Sequence, residues 1–176
     1  MSGIHHRNMG GLGACLLNPN IDCEVICDGL HINPVMLELM FKVKKEDKWM
    51  MISDSTPLAG APEGRYKMDD FEVIVDAEGF CLSDTGRLMG STKSVLYGMS
   101  VLVNKLSMPL ETVIKMASLN PCNCYGFGNT KGSIKIGKDA DIAVITDDFQ
   151  VIATYSEGRK VFDKNIDTSI FNPNYL

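Results

Sequence analysis

Cys23-Glu24-Val25-Ile26-Cys27-Asp28-Gly29-Leu30-His31 and Trp49-Met50-Met51-Ile52-Ser53-Asp54-Ser55 decide how this chain is to be read. Each is a short apolar run that gives way to an acidic residue, the pattern of a buried strand whose C-terminal end opens into a loop. Between them Asn33 can cap a helix with Pro34 at its first position, and Val35 to Val43 continues it before Lys44 and Lys45 at its end. Strand, helix and strand in this order imply a right-handed parallel crossover and place the chain in the α/β class.

Outward from this unit the punctuation changes. Upstream, Gly10-Gly11-Leu12-Gly13 marks a turn into a helix; no strand precedes it and the last Gly of a dinucleotide fingerprint is missing. Downstream, Thr56 to Gly64 is rich in Pro and Gly and reads as a long loop on the face where the second strand ends, where function is often carried. Arg65 to Leu82 alternates, with Phe71, Val73 and Val75 apolar around Glu72, and predicts a small antiparallel excursion inserted into the main fold. Ser91 or Thr92 can then open a helix with Val95, Leu96, Met99, Leu102, Val103 and Leu106 on one face. A third helix spans Leu110 to Leu119 and is closed by Asn120-Pro121. From Lys131 the period becomes two: Ser133 to Ile136, Asp141 to Ile145, Val151 to Tyr155 and Arg159 to Phe162 are expected as antiparallel strands. The expected divisions are 1–126 for the α/β part, 127–163 for the β segment and 164–176 for a surface tail.

Composition narrows the function. The chain has 176 residues with 17 Lys plus Arg against 22 Asp plus Glu, and its net charge of -5 offers phosphate backbones or anionic lipid no general attraction. No apolar run approaches the roughly 18 residues of a membrane span, so neither nucleic acid nor membrane is expected as a partner. Met1 to Arg7 lacks the basic start and apolar stretch of a secretory signal, which predicts a cytoplasmic protein whose six cysteines stay thiols. Cys23-x-x-x-Cys27 and Cys122-x-Cys124 have poor zinc spacings, and core packing is the better reading of both.

Two titratable side chains, His31 and Asp54, follow the ends of the two parallel strands, where α/β folds place their active sites. Asp54 can exchange protons with a water nucleophile and a leaving group, or equally cap nearby backbone amides. His31 can donate to a substrate oxygen or phosphate, though position alone favours a loop histidine bonded to backbone. In His5-His6-Arg7 the two adjacent rings are expected to point apart, which argues against a metal held by both. Arg7 suits an anion through its fork of donors, or a surface ion pair.

Taken in order, Ile4-His5-His6-Arg7, Asp28-Gly29-Leu30-His31, Ile52-Ser53-Asp54-Ser55, Ala59-Gly60, Leu88-Met89-Gly90-Ser91-Thr92, Ala117 to Pro121 and Lys131-Gly132-Ser133-Ile134 through Gly137-Lys138-Asp139-Ala140-Asp141 resemble the C-terminal half of the N-acetylglucosamine-6-phosphate deacetylase family, over about residues 1–163. The resemblance implies the last two strands and helices of a (β/α)8 barrel plus strands of a small β-sandwich. The implied reaction is hydrolysis of the N-acetyl amide of N-acetylglucosamine 6-phosphate to glucosamine 6-phosphate and acetate. It implies Asp54 as catalytic acid and base, Asp28, Gly29, Leu30 and His31 as the segment holding the sugar phosphate, and Leu88, Met89 and Gly90 as a loop over the substrate. Arg7 is implied as a phosphate ligand reaching across a homodimer interface. The family's divalent metal, zinc or iron, is implied to be held by a Glu and two His upstream of everything in this chain, so the chain alone is expected to be an inactive fragment. Ser55 departs from the Ala common at that place. The alternative is a noncatalytic sugar-phosphate-binding or assembly fragment. Another amidohydrolase, such as a dihydroorotase, fits less well because it has no use for a phosphate-binding Arg7 and His31.

Overall fold

The computed structural model describes residues 3–68 and 71–167; the expected tail from 168 onward lies outside the described residues. Helix α1 (Gly10–Leu17) leads into β1 (Cys23–Ile26), α2 (Pro34–Val43) and β2 (Trp49–Ile52). The two strands are parallel, with Cys23 opposite Trp49 and Ile26 opposite Ile52, as the crossover predicts. Asn33 caps α2 by accepting a 2.9 Å hydrogen bond from the Val35 amide, with Pro34 where its missing N–H costs nothing. Lys44 at the other end is buried, and its Nζ donates to the Cys15 and Asn18 carbonyls at the C-terminus of α1.

The inserted excursion is a meander of four antiparallel strands, β3 (Gly64–Met68), β4 (Phe71–Val75), β5 (Phe80–Ser83) and β6 (Leu88–Ser91). Leu88, Met89 and Gly90, expected as a loop, therefore lie on a strand. The Ser83 carbonyl accepts the Gly86 amide in a tight turn, which lets the chain double back and pair Leu82 with Leu88. The meander has its own small core of Leu58, Val73, Val75 and Cys81.

Helix α3 (Val95–Leu106) begins later than Ser91 or Thr92, because both belong to the end of the meander and the cap is Ser94, whose Oγ accepts from the Tyr97 amide. Its apolar face is the expected one, and Gly98 brings it onto the strands: a Cβ there would lie 3.1 Å from Met51 Cε and 3.4 Å from Cys27 Cβ. The third helix is not closed at Asn120-Pro121. It runs as α4 (Leu110–Ile114), a π-helical turn over Lys115–Leu119 and α5 (Asn120–Cys124). The wider turn accommodates a proline that cannot donate, and Asn120 Nδ2 anchors the junction on the Glu46 and Trp49 carbonyls, each at 2.9 Å.

The β segment forms a three-stranded antiparallel sheet, β7 (Ile142–Ile145), β8 (Val151–Ser156) and β9 (Arg159–Asp163). Ser133 to Ile136 is not a strand: no described strand pairs with it, and Ile134 and Ile136 both face solvent. Ile145 and Phe149 join the main core, which gathers Leu37, Met40, Trp49, Met51, Met99, Leu102, Val113 and Met116. Burial of each such side chain is worth about 1.5–3 kcal/mol, which is what holds helices to two short strands. Among the described residues no helix is long and apolar enough to cross a membrane.

Candidate active site

Because β1 and β2 are parallel, their C-terminal ends deliver Asp28-Gly29-Leu30-His31 and Ser53-Asp54 to the same end of the sheet. Asp28 is only 4% exposed and all its acceptor capacity is used. Its Oδ1 takes the Leu30 and His31 amides, both at 2.9 Å, while Oδ2 takes His31 Nδ1 at 2.8 Å and the Ser91 hydroxyl at 3.2 Å. Burial pushes the Asp28 carboxyl up, but the His31 and Leu30 amides and the His31 ring outweigh it and hold it below its ordinary value of 3.8. A carboxyl depressed by folding adds stability that is complete above its unfolded pKa and is lost as pH falls through the lower folded one. Acid titration followed by circular dichroism should therefore show Asp28→Asn less acid-sensitive than the wild type below pH 3.8. An unchanged acid limb would show that these bonds do not differ between the folded and unfolded chain.

His31 is thus aimed by its neighbour. With Nδ1–H given to Asp28, Nε2 is the free end, and it is buried without a hydrogen-bond partner among the described residues. A buried imidazole nitrogen with nothing to bind is suited to a polar ligand atom.

Asp54 is exposed, and its carboxylate makes no hydrogen bond among the described residues. Its backbone is in the left-handed region at φ +51, a conformation that costs about 1–3 kcal/mol for a residue with a Cβ. Two neighbours impose it. The Asp54 carbonyl accepts the Ser91 amide at 2.8 Å, and Gly90, itself at φ +100, lies so close that a Cβ there would sit 2.8 Å from the same carbonyl and from Thr56 Cγ2. The Thr56 amide returns a bond to the Ser91 carbonyl at 3.1 Å, so the end of β6 is stitched to the end of β2.

Arg7 is exposed in the turn closed by His5 and Asn8, and its guanidinium has no partner among the described residues. The His5 and His6 rings do not point apart but stack with centroids 4.2 Å apart and planes tilted by 39°. Cys27 is a core residue: burial first, then the Asp28 charge, pushes its thiol up to about 12. Leu88 is half-buried, Met89 exposed and Gly90 buried. Sequence reasoning missed Ser91 as part of the site, treating it as a helix cap. The available signal was a hydroxyl directly after the glycine of Gly90-Ser91-Thr92.

The sequence profile of the amidohydrolase family matches residues 22–161. An N-acetylglucosamine-6-phosphate deacetylase of Vibrio furnissii is 32% identical over 163 residues, covering 93% of this chain and 40% of the relative. A shorter protein of Escherichia coli K12, named provisionally as an N-acetylgalactosamine-6-phosphate deacetylase, is 33% identical, and the match covers 90% of this chain and 94% of that one. The crystal structure of N-acetylglucosamine-6-phosphate deacetylase from Thermotoga maritima superposes with a TM-score of 0.83 at 31% identity, over 92% of this chain and 44% of that one. The chain thus spans about two fifths of the length of the full-size relatives it matches. Sequence and fold agree that the chain belongs to the amidohydrolase family, in the company of its N-acetylglucosamine-6-phosphate deacetylases.

Proposed function

We propose that this chain supplies the phosphate-binding and proton-transferring side of a deacetylase that hydrolyses the N-acetyl amide of N-acetylglucosamine 6-phosphate to glucosamine 6-phosphate and acetate. The observation that carries the reading is the pairing, at one end of the parallel strands, of a buried unpartnered imidazole nitrogen on His31 with an exposed carboxylate on Asp54. In the same reading residues 1–126 are the last two strands and helices of a (β/α)8 barrel and residues 127–163 part of a β-sandwich.

The sugar phosphate is met by His31 Nε2, which offers an N–H there when the ring carries both protons. The Leu30 and His31 amides are already given to Asp28, so of this segment the His31 ring is left to do most of the binding. Arg7 supplies the second charge from a neighbouring copy of the chain, a role supported by its exposed, unpartnered guanidinium. The Asp54 carboxylate takes the proton of the attacking water as the water oxygen bonds to the amide carbon. It then returns that proton to the nitrogen as the C–N bond breaks, leaving a free amine and acetate. Leu88, Met89 and Gly90, on the strand whose end is bonded to Asp54, are the segment that would lie over the substrate. The divalent metal of the family, zinc or iron, would polarise the amide carbonyl. Among the described residues no group of three His, Cys, Asp or Glu is arranged to hold one.

A second reading for the isolated chain, favoured by the same unpartnered His31 Nε2, is a sugar-phosphate-binding module without catalysis. Calorimetry with glucosamine 6-phosphate and no metal tests it: the second reading requires measurable binding by the chain alone, and no binding at millimolar ligand removes it. In the active protein, Arg7→Ala should raise KM for the sugar phosphate about tenfold with kcat unchanged, the loss of one charge-assisted contact. An unchanged KM returns Arg7 to the solvent-exposed surface. Comparing N-acetylglucosamine with N-acetylgalactosamine 6-phosphate decides which epimer is preferred, since relatives are named for each.

A further inference from the structure

Ser91 lies at the end of β6, outside the parallel strands that carry the proposed site, yet it is 1% exposed and every polar atom it owns is engaged with that site or its supporting loops. The Lys93 amide donates to its Oγ at 2.9 Å, which occupies a lone pair and leaves the hydroxyl proton for Asp28 Oδ2 at 3.2 Å. Its amide donates to the Asp54 carbonyl at 2.8 Å, and its carbonyl accepts the Thr56 amide at 3.1 Å. Side chain and backbone therefore serve different partners.

We propose that Ser91 is a positioning residue that sets the two halves of the site separately, the His31 ring through its hydroxyl and the Asp54 backbone through its peptide. The chain of cause is short. With Ser91 and two amides each holding part of the Asp28 carboxylate, the remaining acceptor site of Oδ2 is the one His31 Nδ1 must fill with its proton. The ring is then fixed with Nε2 outward, the orientation in which its protonated form presents an N–H to an anion. Without the hydroxyl, Asp28 can rotate toward the vacated space and release the ring from its tautomer. The peptide bonds to Asp54 and Thr56 do not depend on the side chain and persist in any residue at 91.

This inference rests on the proposed function for the identity of the ligand, but not for the geometry of His31. The first measurement needs no activity. The chain holds three histidines, so nitrogen NMR of the labelled 176-residue chain resolves their imidazoles. In the wild type the neutral His31 ring should carry its proton on Nδ1, and in Ser91→Ala the two tautomers should mix and the Nδ1 proton exchange faster. A wild-type His31 with its proton on Nε2, or an unaltered ring in Ser91→Ala, overturns the proposal.

The second measurement uses the active protein. Ser91→Ala should raise KM for the sugar phosphate about tenfold while kcat stays within about twofold, and Ser91→Thr, which keeps the hydroxyl, should restore KM. A fall in kcat with KM unchanged, or no restoration by threonine in a folded variant, overturns it. If Ser91→Ala does not fold, the wild-type tautomer and the Ser91→Thr kinetics still decide. Should the ring respond as expected while phosphorylated and unphosphorylated sugars react alike, the phosphate reading fails and the positioning role of Ser91 stands.

Discussion

Asp54→Asn in the active protein should lower kcat by about a hundred- to ten-thousandfold, the range typical of a lost general acid and base, while KM for N-acetylglucosamine 6-phosphate stays nearly unchanged. The amide is isosteric with the carboxylate but cannot hold a transferable proton, and the side chain makes no hydrogen bond among the described residues whose loss would disturb folding. Nothing in the proposed phosphate contacts depends on it, so ground-state binding survives. Steady-state kinetics on the purified variant check this. Wild-type turnover would reduce Asp54 to a strand-end carboxylate held at φ +51 for no catalytic reason.

Gly90→Ala should be nearly as damaging without touching a titratable group. The residue stands at φ +100, where a side chain is strained, and its added Cβ would lie 2.8 Å from the Asp54 carbonyl and from Thr56 Cγ2. Either β6 moves off β2 or Asp54 leaves its left-handed conformation, and both displace the carboxylate. A shift of about 1 Å at a catalytic group costs about a hundredfold, so kcat/KM should fall by about that factor in a variant that keeps its far-ultraviolet dichroism. Wild-type kcat/KM in the variant would mean that the contact between the meander and Asp54 is slack.

Local rules account for much of this fold. Asn33-Pro34 and the apolar runs around Cys23 and Trp49 carried the parallel crossover, because the cap is a local contact and the runs are apolar enough to mark buried strands whatever they pair with. What escaped were features decided at long range. Leu88 to Ser91 became a strand because β5 lay ready to pair with it, Pro121 was absorbed by a π turn anchored through Asn120 on the β2 region, and Ser133 to Ile136 alternates like a strand but has no described partner. The same holds for the site. Asp28, His31 and Asp54 were visible as residues at strand ends, whereas Ser91, sixty-three positions from Asp28, enters only once the meander folds back.

Acetate release by the purified active protein is the decisive measurement of an amide hydrolysis directed by phosphate. N-acetylglucosamine 6-phosphate should yield acetate and glucosamine 6-phosphate in equal amounts, the unphosphorylated sugar should react far more slowly, and Asp54→Asn should slow acetate release by about a hundred- to ten-thousandfold. No acetate from the phosphorylated sugar, or equal rates with and without its phosphate, would contradict it.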